Sequence, residues 1–303
     1  MLDYAALNAL AAVVREGSFE RAARALNVTP SAVSQRIRAL EERAGCVLVV
    51  RDQPCYATDA GRALCQHLDR VRLLEHELQG ALPAALMAED GGDEAPRVPL
   101  PLAVNADSLG TWFAPAVARF AAGAPVLLQL SVDDQDHTAE WLRSGAVLAA
   151  VTGVGSAPAG FSSQPLGAMR YVAAASPAFV ARYFAQGVNA ASLARAPSLQ
   201  FNAKDALQAR WVERQCGGAQ PALPRHTVPS LQAFVATCVA GMGWAMQPQT
   251  LIQAELQAGA LVELVPHTPL DVPLHWQQAR AGSALLEGLT RCVMAAARGV
   301  LVG

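Results

Sequence analysis

The sequence predicts an α/β chain in three successive parts: a small helical head with a two-strand hairpin, one long helix, and a body of alternating strands and helices. Three observations lead there. Residues 3–57 hold three short helical patterns with their own start and stop signals, followed by two β-rich runs. Residues 58–87 carry apolar side chains three and four positions apart. From residue 98 onward, runs with strand character alternate with runs of helical period.

The first helix is expected over 3–15, with Tyr4, Leu7, Leu10 and Val14 on one stripe and Glu16-Gly17 ending it. Ser18 caps a second helix from Phe19 to Leu26, because its hydroxyl can accept an otherwise unpartnered first-turn amide. Asn27-Val28 makes a tight turn. Thr29 then caps a third helix, and Pro30 occupies its first position, where a missing N–H costs nothing. That helix runs to Ala44 and stops at Gly45. Val47 to Val50 and the region around Tyr56 read as a small β wing about the polar turn Arg51-Asp52-Gln53-Pro54. Thr58 and Asp59 open the long helix, whose Leu64, Leu68, Val71, Leu74, Leu78 and Leu82 form a seam that wants a partner.

Residues 88–97 are polar and rich in breakers and read as a flexible linker. Beyond them strands are expected at 98–104, 126–132 and 146–152, with helices at 108–122 and 136–144. A second set has strands near 170–175, 198–201, 226–228 and 243–246, with helices near 204–214, 231–240 and 249–258. A strand near 272–279 and a helix from 283 close the chain. Such alternation implies largely parallel sheets.

Composition narrows the function. Hydrophobic residues make up 52% and charged residues 16%, which fits a well-cored chain. The net charge of −2 announces no polyanion binder, but residues 18–51 hold six arginines against three acids. The first residues lack the basic and apolar regions of a secretory leader, and no stretch is apolar enough to span a membrane. A cytoplasmic protein with mostly buried thiols is expected, the six cysteines being scattered without zinc spacing. No nucleophile elbow, phosphate-binding glycine loop or metal-spaced histidine set is present, so an enzyme is not expected.

Helix three is two-faced. Val33, Ile37, Leu40 and Ala44 make an inner stripe, and Ser31, Ser34, Gln35 and Arg38 share the opposite face. Any surface helix shows such a division. The order of three helices, wing and long capped helix is what turns it into a DNA-reading motif. Gln35 can pair bidentately with adenine, and Ser31 and Ser34 can reach base edges. Arg36, Arg38 and Arg51 suit phosphates or the minor groove, and Ser18, Thr29 and Pro30 lie at the helix starts that meet the backbone.

Gly17-Ser18-Phe19-Glu20-Arg21-Ala22-Ala23-Arg24-Ala25-Leu26 and Thr29 to Glu41 resemble the signature of LysR-type transcriptional regulators. Leu48 to Gly61 resembles their wing and the start of their linker helix, although Asp52 to Thr58 lacks the proline that relatives place before the capping threonine. Leu102-Ala103-Val104-Asn105-Ala106-Asp107-Ser108-Leu109, with Thr111-Trp112, is similar to the ArgP/LysG subfamily. The resemblance implies a winged helix-turn-helix over 1–58, a linker and dimerisation helix over 59–87, the linker 88–97 and a periplasmic-binding-protein-like effector domain over 98–303. Its lobes would be 98–155 with 270–303, and 156–269, with crossings near 152–161 and 265–272. It further implies no cofactor, lysine or arginine as effector, control of a basic-amino-acid exporter, a homodimer or tetramer on an operator, and contact with RNA polymerase. Some subfamily members are also called inhibitors of chromosome initiation.

Asn105, Ala106, Asp107 and Ser108 join the first body strand to its helix, where amides can hold a carboxylate. Ser108 serves equally as a plain helix cap, and Asp107 fits such a site if it turns away or receives a ligand amine. Asp133, Asp134 and Asp136 follow the next strand, where open α/β sheets bind ligands, and can meet a side-chain cation or simply complement a helix dipole. Phe201, Asn202 and Ser230 are the candidates from the opposite lobe, Phe201 fitting a core role as well. Trp112 is expected on a lobe surface or in local packing. Two rival readings stay open: a nucleoid-type DNA binder, and a redox sensor using Cys216 and Cys238.

Overall fold

The computed structural model describes residues 3–81, 97–132, 141–142, 146–280 and 284–303. The head follows its capping signals closely. Helix α1 (Tyr4–Glu16) starts where the Asp3 carboxylate accepts the amides of Ala5 and Ala6, and ends at Gly17 in the left-handed conformation (φ 64°). Helix α2 (Phe19–Ala25) is capped by Ser18, and α3 (Pro30–Ala44) by Thr29. Leu7, Leu10, Val13, Val33, Ile37 and Leu40 are buried together, and Ala22 and Ala23 lie between the helices with almost no exposed surface. Each fully buried leucine or isoleucine contributes about 1.5–3 kcal/mol here.

The wing is shorter than expected: β1 (Val49–Val50) pairs antiparallel with β2 (Tyr56–Ala57). Helix α4 (Asp59–Ala81) begins hard against it. Thr58 donates from its backbone amide to the Leu48 carbonyl at 3.0 Å and from its hydroxyl to the Val47 carbonyl at 2.8 Å. Leu68 is buried in the head, whereas Leu74 and Leu78 stand 54% and 58% exposed.

The body departs from the parallel expectation. Its sheet runs in the order β10 (Val262–Glu263), β6 (Phe161–Ala175), β11 (Leu270–Ala279), β5 (Ala149–Thr152), β3 (Val98–Val104), β4 (Val126–Val132), with β9 (Ala245–Pro248) also on β6. Strand β3 (Val98–Val104) is parallel to β4 (Val126–Val132) and to β5 (Ala149–Thr152). The other pairs in this sheet are antiparallel. Strand β6 (Phe161–Ala175) pairs along 161–171 with β11 (Leu270–Ala279), then at its far end with β9 (Ala245–Pro248) and β10 (Val262–Glu263). The chain therefore passes between lobes along two long hydrogen-bonded strands. The half of β6 around Ser162, Ser163, Gln164, Pro165 and Gly167 lacks β-branched residues, so its strand character comes from pairing with β11 and not from local preference. Gly167 (φ 113°) is required there, because a Cβ would fall 2.8 Å from the carbonyl oxygen of Val302 in the returning C-terminal tail.

On the first lobe, α5 (Ala106–Ser108) runs through a π turn (Leu109–Phe113) into α6 (Ala114–Ala122), which packs on the closing α12 (Ala284–Arg298). Trp112 is buried, edge-on to Phe113 with ring centres 5.6 Å apart, which excludes the surface position. The second lobe carries α7 (Pro177–Tyr183), α8 (Ala190–Leu193), the parallel pair β7 (Ser198–Gln200) and β8 (Arg225–Thr227), α9 (Leu207–Gln215), α10 (Leu231–Val239) and α11 (Gln253–Gln257). The expected helix over 136–144 falls mostly outside the described residues.

Candidate nucleic-acid interface and ligand cleft

Helix α3 turns Ser31, Gln35 and Arg38 outward, with Ser34 and Arg36 half-buried beside them and Val33 and Ile37 facing the core. The Thr29 hydroxyl accepts the Ala32 amide at 3.2 Å and shares a hydrogen bond with Ser31 at 3.0 Å, so the helix start is held in place before any contact is made. Pro30 is exposed at the first helical position. Ser18 accepts the Arg21 amide and donates to Glu20 at 2.7 Å, which holds the Glu20 carboxyl below its ordinary range.

The wing loop packs against the turn between α1 and α2. The Cys55 amide donates to the Gly17 carbonyl at 2.9 Å, and a Cβ on Gly17 would meet the Pro54 Cβ at 2.8 Å, so glycine lets the wing loop close on the α1–α2 turn. The Arg51 guanidinium sits 4.9 Å from the centre of the Phe19 ring, a contact that fixes its direction without neutralising it. Arg21 differs: it folds back to donate to the Glu16 carbonyl, so a bare count of arginines overstates the outward charge. Sequence reasoning missed Glu41, whose Oε1 accepts the amides of Leu48 at 2.8 Å and Val49 at 3.3 Å and ties β1 to the reading helix.

The body holds a cavity of about 170 Å³ between the β3–α5 turn and the 201–210 segment. Asn105, Ala106 and Asp107 line one side, with Val132 at the end of β4. Phe201, Asn202, Asp205 and Arg210 line the other, over Met246 and Pro248 of β9. The second-lobe wall braces itself. Asn202 Oδ1 accepts the amides of Lys204 and Asp205, and the Asp205 carboxylate accepts those of Phe201 and Leu207. Phe201 stands edge-on to Phe234 with ring centres 6.3 Å apart, combining the core and lining roles. Asp107 Oδ2 accepts a hydrogen bond from the Tyr171 hydroxyl at 2.6 Å. Two carboxylates, Asp107 and Asp205, and two cations, Lys204 and Arg210, thus border one small space, an arrangement suited to a zwitterion.

Two expected ligand residues are not brought there. Ser108 is fully buried and does not line the cavity, because the helix begins two residues earlier with Asn105 at its cap position. Ser230 is exposed and spends its hydroxyl capping α10 at the Ala233 amide, while Leu231 and Phe234 reach the cavity instead. Asp133, Asp134 and Asp136 lie outside the described residues. The thiol of Cys238 is buried and donates toward the Ala174 carbonyl, and burial pushes it up to about 12, a poor start for peroxide chemistry.

Residues 4–62 match the family described as bacterial regulatory helix-turn-helix protein, lysR family, and residues 94–298 match the LysR substrate binding domain. The chain belongs to the LysR family of transcriptional regulators. As such it binds DNA and is not an enzyme; its relatives bear regulator names. It is 45% identical over 302 residues to the HTH-type transcriptional regulator ArgP of Pseudomonas aeruginosa, covering 100% of this chain and 98% of that one. The crystal structure of ArgP from Mycobacterium tuberculosis matches with a TM-score of 0.80 and 42% identity, over 100% of both chains. Full-length LysG from Corynebacterium glutamicum with bound effector Arg matches with a TM-score of 0.69 and 36% identity, again over 100% of both. Among the described residues of the regulator, no helix is long and apolar enough to cross a membrane.

The LysR regulator's cavity also contains residues that its sequence did not single out. Asp205 is one: its amide closes an Asx-type turn on the expected Asn202, and the Phe-Asn-Ala-Lys-Asp pattern was the available signal. Met246, Pro248 and Leu251 had none, since an apolar lining residue reads like core.

Proposed function

We propose that this LysR regulator binds lysine or arginine between its effector lobes and thereby changes how a dimer or tetramer engages its operator, controlling an amino-acid export gene from the cytoplasm. The observation that carries the reading is the cavity itself, which Asp107 lines from the β3–α5 turn and Lys204, Asp205 and Arg210 line from the 201–210 segment. A related LysG, 36% identical over its whole length, is described with bound effector Arg, which supports the same ligand class. Asn105, Ala106, Asp107, Phe201 and Asn202 meet the ligand. Asp133, Asp134 and Asp136, directly after the lining residue Val132, receive its side-chain cation.

On DNA, Ser31, Ser34 and Gln35 read bases, Arg36, Arg38 and Arg51 hold phosphates, and Ser18, Thr29 and Pro30 set the helix starts against the backbone. Helix 59–87 pairs two copies, which the exposed Leu74 and Leu78 support, and residues 88–97 join it to the effector domain. RNA polymerase is the further partner. The ligand acts only through unequal affinity for two arrangements of the assembly. Isothermal titration calorimetry with L-lysine and L-arginine tests the reading: saturable heat that is lost in Asp134→Ala is expected, and no heat with either amino acid overturns it.

A further inference from the structure

Tyr171 is absent from the cavity lining yet reaches one of its charged residues. It sits on β6 opposite Pro248 of β9, two residues from the Ala173–Met246 pair. Directly paired residues of an antiparallel ladder, and those two positions along, share a sheet face. Tyr171 therefore lies on the same face as Met246 and Pro248, which floor the cavity from the second lobe. Its ring is buried, 1% exposed, within the large cluster that includes Trp112, Phe113 and Met246. A ring held that firmly fixes the direction of its hydroxyl, which donates to the first lobe. The acceptor is Asp107 Oδ2, 2.6 Å away on the turn leaving β3 of the first lobe.

We infer that Tyr171 is the positioning residue for Asp107, fixing its carboxylate as the receptor for the α-ammonium group of the amino-acid effector. This rests on the effector reading above and adds which ligand group Asp107 takes and what holds it ready. A carboxylate has about four acceptor sites on two oxygens, so orientation by the Tyr171 hydroxyl is compatible with accepting a ligand ammonium as well. The bond also runs from the strand that floors the second lobe to the turn that walls the first. An ammonium drawn to Asp107 is thereby registered on both lobes at once. A hydrogen bond to a charged group that positions a binding partner carries about a tenfold effect on affinity.

The test compares L-lysine with 6-aminohexanoic acid, which keeps the carboxylate and side-chain ammonium but lacks the α-amino group. Calorimetry on the full-length protein and Tyr171→Phe is expected to show L-lysine bound about tenfold more weakly by the variant, with the affinity for 6-aminohexanoic acid unchanged. Asp107→Asn is expected to lose the preference for L-lysine over 6-aminohexanoic acid, and adding Tyr171→Phe to it to change nothing more. Equal L-lysine affinity in Tyr171→Phe and wild type overturns the inference and leaves the effector reading standing. An equal loss for both ligands, with a lowered melting temperature, makes Tyr171 merely structural and also overturns it; the single variant Asp107→Asn decides the point if Tyr171→Phe fails to fold. Wild-type protein that binds neither L-lysine nor L-arginine overturns the effector reading and this inference together.

Discussion

Replacing Gly61 by alanine sets two effects of opposite sign against each other. Gly61 lies inside α4, and in an exposed helix interior glycine to alanine stabilises by about 1 kcal/mol. Here a Cβ would fall 2.0 Å from the carbonyl oxygen of Leu48, with the Leu48 carbonyl carbon 3.0 Å away. Backbone cannot yield as the tip of a side chain can, so β1 and α4 must separate. That carbonyl accepts the Thr58 amide at 3.0 Å, and Thr58 also donates to Val47 at 2.8 Å and caps α4 at the Gly61 amide at 3.1 Å. Overpacking costs about 1–3 kcal/mol. A weakened backbone bond and cap add about 1 kcal/mol each. The clash therefore wins, and a net loss of about 2–4 kcal/mol is expected in the head. The five tryptophans all lie at 112 or beyond, so their fluorescence reports on the body alone. Urea unfolding followed by far-ultraviolet circular dichroism should show the head of Gly61→Ala melting earlier, with the tryptophan transition unmoved and operator affinity reduced. A variant as stable as wild type, or more so, would show that β1 and α4 tolerate the added methyl group.

Three further outcomes follow from the same geometry. Gln35→Ala should cost about 1–3 kcal/mol on a preferred operator and nothing on random DNA, while Arg38→Ala weakens both and lowers the salt slope by about one, as salt-titrated gel shifts would show. Leu74→Glu with Leu78→Glu, on the exposed stripe of α4, should dissociate the dimer in sedimentation velocity while the circular dichroism of the protomer is kept. Arg170 and Asp271 pair at 2.8 Å across β6 and β11, and the Arg170 hydrogen bond holds the Asp271 carboxyl below its ordinary range of about 4. A depressed folded-state value stabilises above the unfolded value and is lost as pH falls through the folded one. Since both side chains are more than a third exposed, the pair contributes under about 1 kcal/mol, and Asp271→Asn should narrow the stability difference between pH 6 and pH 3 by no more than that.

The head was legible because its information is local. Ser18, Thr29-Pro30 and Gly45 each name a helix boundary from one or two residues, and the structure places all of those boundaries within a residue or so. The body was legible only in its element list. Nothing local in Phe161 to Met169 announces a strand, since that stretch is extended by pairing with β11 more than a hundred residues away. A sheet expected to be parallel is therefore mixed. The site behaved likewise. Asn105 to Asp107 were found from a strand end, but Ser108 was misplaced by the two-residue offset of a helix start, and Tyr171 stood hidden as an ordinary core aromatic. Its role depends on a partner 64 positions away, which no periodicity encodes.

An amino acid in the effector cleft should alter how the helix-turn-helix engages DNA. Nuclease footprinting of the full-length protein on the DNA upstream of its own gene, with and without L-lysine or L-arginine, is the decisive test. A protected inverted repeat is expected whose boundaries or enhanced cleavage sites shift when one of the two amino acids is present, and the shift should disappear in Asp107→Asn while the protection remains. Identical footprints with and without both amino acids, on DNA that the protein does protect, would contradict it.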